Sequence, residues 1–551
     1  MSPIFGAGII QTTLGPMDWL VIIIYFGFIL GIGFYLKRFA KTGQDFFLAG
    51  RKNNAWVAGL AFLSANLGAL ELLGWTGNTA KYGIYAAHFY WIGAIPAMLF
   101  LGLYMMPFYY NSKINSVPGY LKHRFDERTR LLNAISFALM TVLMSGINLY
   151  AMALVLHTFL GWNWDICMWA SAATVASYVT LGGLLSAIFT EIIQFFLIWF
   201  GLFLVAILGF VEVSTSAEIT ARLPETMSSL WANSATPGAN AMEVTFAGII
   251  LGLGFVLSFG YWTTDFLVIQ RAFSSKDLRT ARMTPILASF FKMALPIIVV
   301  GAGVVAWKLG QSKLLPTESG DFPVEGGVMR YDYALPYLIQ RYFPTGLMGL
   351  GVTALLAGFM AGQAGNVTAF NTVFTYDIYQ PVFKKNATDS HLVWVGRVMT
   401  IVGIIISVAT AYLARQFGSI MDYVQAIFAW VNAPLFATML LGMFWKRTTP
   451  TGAFWGLLVG MTTSFLLFMG MRFGWFDAAI VTFAENPSDM ARNLWQAWWA
   501  WSTTFCVTIG VSLVTKPKPD SELLGLVRGL IDTSTREEKV EWWRTPGFWA
   551  I

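Results

Sequence analysis

Apolar stretches of about 20 residues recur along nearly the whole of this 551-residue chain. Each is long enough to cross a hydrocarbon core of about 30 Å as an α helix. Only 12% of the residues are charged, against about 25% in a typical soluble domain. The sequence therefore predicts an all-α polytopic membrane protein, with one transmembrane domain over residues 1–515 and about 13 transmembrane helices. The predicted spans are 18–36, 55–80, 84–110, 132–159, 164–181, 185–211, 245–268, 282–308, 346–376, 393–413, 420–444, 452–473 and 494–514.

Basic residues are concentrated in every second loop between these spans. One such loop begins with Lys37 and Arg38, whereas the loop 212–244 holds a single arginine against four glutamates. The positive-inside rule makes the basic loops cytoplasmic, so we expect the N-terminus outside and, with an odd span count, the C-terminus inside. These loops explain the net charge of +6 without nucleic acid as a partner. Cys167 and Cys506 both lie in apolar runs, which argues against a disulfide framework or a metal cluster.

Four polar or charged side chains lie inside the apolar runs: Glu71, Glu191, Lys292 and Gln425. A charge at the bilayer centre costs about 2.5–3.5 kcal/mol on insertion scales, so such residues mark a cavity, a partner or a substrate path. Lys292 lies too deep in its span to reach the interface easily, and we expect an ion pair with Glu71 or Asp265. Glu191 and Asp265 could alternatively lie near a membrane interface, where an acid is inexpensive.

Two spans contain segments that disfavour a continuous helix. Residues 64–68 combine Ser, Asn and Gly, and residues 258–260 combine Ser and Gly. Interrupted helices at matching positions in two halves are typical of inverted-repeat transporters, in which unwound backbone binds substrate and ions. The alternative is that glycine simply lets helices pack closely. The two repeats are expected at about 55–211 and 245–444.

Two regions outside the spans have patterns of their own. The segment 516–551 is predicted to be a cytoplasmic tail, either an amphipathic helix on the membrane face or disordered. The outer loop 309–345 is unusually long and has helical spacing near 331–339, which predicts a short lid helix.

Six short motifs occur in order between about Asp45 and Gly452, at positions compatible with the membrane spans. They are Asp45-Phe46-Phe47-Leu48-Ala49-Gly50-Arg51, Ser116-Val117-Pro118-Gly119-Tyr120-Leu121, Gly182-Gly183-Leu184 with Thr190-Glu191-Ile192-Ile193-Gln194, Ile269-Gln270-Arg271, Phe374-Thr375-Tyr376-Asp377-Ile378-Tyr379, and Gly442-Met443-Phe444-Trp445-Lys446-Arg447. With these motifs the chain resembles the sodium/solute symporter family, in the branch of bacterial and animal sodium/sugar cotransporters. The resemblance implies a five-plus-five inverted-repeat core and a bacterial inner (plasma) membrane location.

The resemblance also implies a set of site residues. Substrate contacts are expected from Asn66, Glu71, Tyr90, Ser258, Lys292 and Gln425. The gate positions are Trp75, Phe89 and Tyr261, and Glu191 matches an acid near the intracellular ion exit. Glu71, Tyr90 and Ser258 differ in type from the sugar-binding residues of the branch, so the polar pattern of the site is altered.

The implied Na⁺ site is incomplete. It would use carbonyls of Ser64, Leu67 and Gly358, but the two positions that supply side-chain hydroxyls in the family are Ala361 and Gly362. Hard cations require oxygen ligands. Substitutes could come from nearby polar residues, or Glu71 could bind the coupling ion or carry a proton. The candidate substitutes are Gln363, Asn366 and Thr368.

These features predict a secondary active transporter that moves a small polar organic solute such as a sugar, coupled to a cation, expected to be Na⁺. The alternatives are a proton-coupled or uncoupled facilitator of the same fold, and a membrane accessory or sensor protein without turnover. No phosphate loop, HExxH or CxxC occurs, so the sequence supports neither an enzyme nor a bound cofactor. A lone histidine, His88, is a pH-sensitive candidate near the outer gate, although such residues are more often hydrogen-bonded filler.

Overall fold

The computed structural model describes residues 14–39, 42–219, 222–231, 240–325, 327–415, 419–530 and 541–551. Within them, ten helices are long and apolar enough to cross a membrane, or twelve when each of two bent pairs is counted as one span. The long helices and the lid helix are α1 Pro16–Leu36, α2 Ala55–Asn66, α3 Leu70–Ala87, α4 Phe89–Asn111, α5 Glu127–Leu160, α6 Trp164–Thr215, α7 Gly248–Thr264, α8 Phe266–Phe273, α9 Leu278–Gln311, α10 Ala334–Tyr342, α11 Leu347–Val373, α12 Asp389–Ala414, α13 Ile420–Phe444, α14 Pro450–Phe473 and α15 Asp489–Val514.

The all-helical polytopic fold expected from hydropathy is confirmed. The expected spans 164–181 and 185–211 are two helices, labelled together as α6, that meet at a kink at Gly183 with φ 56° and ψ −144°. A side chain there would lie 2.5 Å from the carbonyl oxygen of Phe46. Glycine therefore permits both the unusual backbone and the close approach of the segment 43–48.

Shorter elements join these helices. They are the α helices Gly43–Leu48, Val117–Arg124, Glu225–Ser228, Gln380–Val382, Ala479–Thr482 and Pro546–Trp549, the 3₁₀ turns Ala49–Arg51, Tyr331–Tyr333, Asp520–Glu522 and Trp542–Arg544, and the antiparallel strands Val324–Glu325 and Val328–Met329. The predicted short helix in the outer loop is confirmed as α10. The described part of the tail differs from the expected amphipathic helix, and residues 531–540 lie outside the described part.

Hydrogen bonds to backbone groups hold the described part of the tail against the ends of neighbouring helices. The Tyr120 hydroxyl donates to the Leu526 carbonyl at 2.6 Å, and the Arg528 amide donates to the Met443 carbonyl at 2.8 Å. Leu523 and Val527 are fully buried. Burial of Leu523 and Val527 against the ends of neighbouring helices therefore favours turns over a helix in this segment.

Two bent helices form the centre of the fold. The helices α2 and α3 meet at 58°, and α7 and α8 meet at 46°. The first break lies at the predicted residues, because α2 ends at Asn66 and Leu67 leaves the helical region with ψ 35°. The prediction for the second break was wrong: residues 258–260 are helical, and the chain bends at Asp265 instead. There the Asp265 side chain caps α8 by accepting the Leu267 amide at 2.9 Å.

The helix before the core is fixed to it by one carboxylate. Asp18, in the first turn of α1, is buried and accepts hydrogen bonds from the backbone amides of Gly346 and Gly349 at 2.7 and 2.6 Å. It thereby satisfies two otherwise unpaired N–H groups at the start of α11, where the helix dipole also favours a negative charge.

Candidate functional site

A small cavity lies between the two bent helices, with a free space of about 40 Å³. This is room for about three water molecules. All six expected substrate contacts and all three expected gate residues line it, although their roles stay predictions. The lining residues are Asn66, Leu70, Glu71, Trp75, Phe89, Tyr90, Ala94, Leu257, Ser258, Tyr261, Trp262, Lys292, Gln425 and Phe428.

Wide helical turns shape the walls of this cavity. The segments Leu70–Gly74, Phe89–Ala94 and Gly248–Leu257 are π-helical, so that backbone amides bond five residues back rather than four. Such segments are rare and are frequent at functional sites. Two of them carry Glu71 and Tyr90, and the third ends directly before Ser258.

A buried ion pair forms the polar centre of the cavity. The Lys292 ammonium on α9 donates to Glu71 Oε1 and to Asn66 Oδ1, each at 2.6 Å. The side chains of Lys292 and Glu71 are 3% and 1% exposed. The same ammonium lies 4.9 Å from the centre of the Tyr90 ring and 5.0 Å from that of Trp262, within cation–π range. Of the two partners proposed for Lys292, the structure selects Glu71.

Two aromatic pairs form part of the cavity wall. The rings of Trp75 and Phe89 lie 4.1 Å apart between centroids. The Tyr261 ring stacks on Phe428 at 4.8 Å, and its hydroxyl accepts a hydrogen bond from Asn66 Nδ2 at 2.9 Å. Asn66 thus connects Lys292 to Tyr261.

The region expected to bind Na⁺ lies where the first break meets α11. A Cβ on Gly358 would lie 2.7 Å from the Leu67 carbonyl oxygen, and a Cβ on Gly362 would lie 2.9 Å from the Gly68 Cα. The Asn148 side chain fills the space beside them. Its Oδ1 would be 2.5 and 2.6 Å from a Cβ at Gly68 and at Gly362, and it accepts the Ala69 amide at 2.9 Å.

Asn148 was not among the residues singled out from the sequence, although an amide inside the apolar span 132–159 was the available signal. The other residues of this region offer few free oxygens. The Ser64 carbonyl accepts the Leu67 amide at 2.9 Å, and Ala361 is fully buried without a polar side chain. The fit to a hard cation therefore rests on backbone carbonyls together with the Asn148 carboxamide.

The three proposed substitutes differ in their bonding. Asn366 donates to the Gly362 carbonyl at 2.9 Å, and the Thr368 hydroxyl donates to the Gly365 carbonyl at 3.0 Å. Gln363 is fully buried, and neither of its amide atoms has a hydrogen bond within the described residues. Gln363 is thus the one of the three whose side chain makes no hydrogen bond there, whereas Asn366 uses only its side-chain nitrogen.

The sodium:solute symporter family model matches residues 46–460. The chain belongs to this family. Among curated relatives it is similar to sodium/glucose cotransporter 4 of Danio rerio, at 26% identity over 96% of this chain and 83% of the relative. It is also similar to sodium/glucose cotransporter 4 of Homo sapiens, at 28% identity over 92% and 77%. A third relative is the sodium/glucose cotransporter of Vibrio parahaemolyticus, at 27% identity over 86% and 89%.

Two solved structures share the fold of this family member. One is a Na⁺-coupled sialic acid symporter in a substrate-bound outward-open state, with a TM-score of 0.72, 20% identity, and coverage of 91% of this chain and 99% of that chain. The other is Mhp1, a nucleobase-cation-symport-1 transporter in a closed conformation, with a TM-score of 0.50, 12% identity, and coverage of 87% and 97%. At these identities the likeness shows the fold alone.

A second buried ion pair in this sodium:solute symporter family member joins α6 to α8. Arg271 donates through both Nε and Nη2 to the Glu191 carboxylate, and both side chains are fully buried. Arg271 also donates from Nη1 to the Leu267 carbonyl at 2.8 Å. The charge of Glu191 is thus neutralised by Arg271 in the protein interior, and its depth in the membrane stays a prediction. Its role near an ion exit stays a prediction.

On the opposite side of the cavity, an ion pair joins the two helices that lead to it. Lys81 on α3 donates to Asp422 on α13 at 2.8 Å. His88 lies nearby, with Nε2 2.6 Å from the Leu230 carbonyl oxygen, so it donates a hydrogen bond in the structure. Asp265, for which a position at the membrane interface is the alternative, is buried within the protein with 3% exposure.

Proposed function

We propose that this member of the sodium:solute symporter family is a secondary active transporter of a small polar organic solute such as a sugar, driven by a cation gradient with Na⁺ as the expected ion. The observation that carries the proposal is the buried Lys292–Glu71 pair in a cavity between two bent helices. Ionisable groups are costly in a membrane and are retained where they serve a substrate or ion path.

The chemistry of the cavity supports a hydroxyl-rich solute. Lys292 and Asn66 offer donors, Glu71 offers an acceptor, and Tyr90 and Trp262 offer ring faces. A polyol has donors and acceptors on its edges and C–H groups on its faces. It can therefore hydrogen-bond to the polar side chains and pack its C–H groups on the aromatic rings. The curated relatives, which are sodium/glucose cotransporters, point to the same class of solute.

Alternating access is supported by the arrangement of the aromatic pairs. Trp75 with Phe89 closes one side of the cavity and Tyr261 with Phe428 closes the other. In our proposal each pair separates in turn while the other stays closed, by motion of one repeat against the other. The basic loops face the cytoplasm of a bacterial cell, and the N-terminus lies outside.

The residues at the implied Na⁺ site supply only some of the ligands that Na⁺ coupling would need. Leu67 and Gly358 supply carbonyls, whereas Ala361 and Gly362 supply no hydroxyl and Asn148 fills the space beside Gly362. A proton-coupled transporter or an uncoupled facilitator of the same fold is therefore the second candidate. The third, an accessory or sensor protein, is distinguished by an absence of turnover.

A ligand screen followed by transport tests this proposal. The purified chain is heated with sugars, amino acids and carboxylates, with Na⁺ or with choline in its place. A solute at 100 times its Kd should stabilise the native state by about 2.7 kcal/mol. Lys292→Met should abolish the shift, whereas Lys308→Met, which alters a lysine at the far end of the same helix, should retain it.

Counterflow of the selected solute in proteoliposomes then separates the candidates. Uptake that requires a Na⁺ gradient supports symport with Na⁺, and exchange without any ion gradient supports a facilitator. Binding without exchange would favour the accessory role. An absence of both binding and exchange across the panel would contradict the proposal.

A further inference from the structure

Asp265 lies at the break between α7 and α8, where the backbone leaves the helical region with ψ 115°. Its carboxyl accepts the Leu267 amide at 2.9 Å, and its own backbone amide donates to the Tyr261 carbonyl at 3.0 Å. The residue is 3% exposed. The mechanism outlined above gives this carboxyl no role.

The other acids of the central helices are matched by bases. Glu71 pairs with Lys292, Glu191 with Arg271, and Asp422 with Lys81. Asp265 has no such base within the described residues. An ionised carboxylate in a low-dielectric interior is unfavourable unless it is paired, so a group in this position is either neutral or binds a cation.

The neighbour of the Asp265 carboxyl is the carboxamide of Asn432 on α13. Asn432 is fully buried, and neither of its amide atoms makes a hydrogen bond of good geometry in the described part of the chain, so both are available to the carboxyl beside them. A carboxamide can accept from a protonated carboxyl through its oxygen, or donate to a carboxylate through its nitrogen. Asn432 can therefore bond to Asp265 in both protonation states, which is what reversible proton binding needs.

These two residues repeat the spacing of the aromatic pair that closes the cavity. Tyr261 and Asp265 are four residues apart on one chain segment, and Phe428 and Asn432 are four residues apart on α13. The ring stack and the polar pair are thus successive layers of one contact between α7 and α13. Separation of these helices at Tyr261 exposes Asp265 to water in the same movement.

We propose that Asp265 and Asn432 form a proton-binding site next to the Tyr261–Phe428 pair, protonated while that pair is closed and emptied when it opens. This inference rests on the proposed transport function and identifies one coupling ion as a proton. A proton requires one carboxylate, whereas a hard metal cation requires several oxygens. Within the described residues, no cluster of three acidic, histidine or cysteine side chains could hold a metal.

Protonation places a hydrogen on Oδ2, from which it bonds to the Asn432 oxygen, while Oδ1 keeps the bond from the Leu267 amide. On opening, the proton passes to entering water and leaves a hydrated carboxylate. The titratable groups around the site are Tyr261 on α7, Tyr109 on α4 through the Thr263 carbonyl, and Arg271 on α8. Arg271 is held by Glu191 and is not available to Asp265.

Infrared difference spectroscopy of the full chain between acidic and alkaline pH tests the proposal without a transported solute. At neutral pH the wild type should show the carbonyl band of a protonated carboxyl group, and Asp265→Asn should lack the intensity of one such group. Asp377→Asn, which alters another buried carboxyl, should retain the Asp265 band. Asn432→Ala should shift the frequency of this band, because the protonated carboxyl loses its acceptor.

Identical spectra of the wild type and Asp265→Asn would overturn the proposal, as would ionisation of Asp265 throughout the neutral range. If Asp265→Asn fails to fold, the frequency shift in Asn432→Ala decides. A band that is present and unaltered in Asn432→Ala would also count against the site. Failure of the transport proposal is recognised separately, because it is an absence of ligand binding and exchange while the infrared result stands.

Discussion

Neutralising Glu71 should destabilise the protein more than any surface substitution, because it leaves Lys292 charged in the interior. The two side chains are 2.6 Å apart and at most 3% exposed. The variant Glu71→Gln keeps the shape of the side chain and removes its charge. Any loss of stability then reports the electrostatic balance of the cavity rather than a change in packing.

The expected loss of unfolding free energy depends on the contacts that Lys292 keeps in Glu71→Gln. Removing one partner of a buried ion pair costs about 3–5 kcal/mol. In Glu71→Gln the ammonium keeps the Asn66 oxygen at 2.6 Å and the ring faces of Tyr90 and Trp262. Each face contributes about 0.5–2 kcal/mol, and a glutamine oxygen can still accept. We therefore expect a loss near the lower limit, about 3 kcal/mol.

A double-mutant cycle provides the assay. The free energy of unfolding in detergent is measured for the wild type, Glu71→Gln, Lys292→Met and the double variant. The double variant should recover most of the loss, since removing both charges restores neutrality and can even stabilise the interior. Lys308→Met should change stability by less than about 0.5 kcal/mol.

The reasoning would be refuted if Glu71→Gln unfolded within about 0.5 kcal/mol of the wild type. It would also be refuted if the two single losses simply added in the double variant, because the charges would then be independent and solvated.

Three further predictions concern sites around the cavity. Burial raises the pKa of Asp332 to about 7 despite its bond from the Ile420 amide, so its folded-state pKa exceeds the unfolded value of about 3.9. The contribution of this group to stability should be complete below about pH 4 and be lost as the pH rises through 7, so the difference in thermal stability between the wild type and Asp332→Asn should change over that range. Gly362→Ala would place a Cβ 2.6 Å from an amide oxygen of α5 and should cost about 1–3 kcal/mol in unfolding free energy, whereas Gly27→Ala meets no atom within 4 Å. Asp422→Asn breaks the ion pair with Lys81 and should speed labelling of a cysteine introduced at a cavity position by an impermeant thiol reagent severalfold. An unchanged rate would show that the pair does not restrain that side.

The sequence alone determined the architecture because hydropathy is a local property of each segment. Runs of apolar residues predicted the membrane spans, and the polar residues of 64–68 located the first bend. The second bend escaped this reasoning, since 258–260 has the composition of a break but bonds as a helix, and Asp265 caps the next helix only through its folded position. The tail likewise had helical spacing, yet burial of Leu523 and Val527 against the helix ends favoured turns.

The members of the site could be named from the sequence, but their partners could not. Chemistry and position drew attention to Lys292 and Glu71, whereas the choice of Glu71 over Asp265 depended on the geometry between helices 221 residues apart in sequence. Asn148 gave only a weak signal, and its contact with α11 exists only in the assembled bundle. The sequence alone shows which charges lie in apolar segments and are therefore costly. Their burial and pairing depend on several segments together, so only the tertiary structure decides how each charge is compensated.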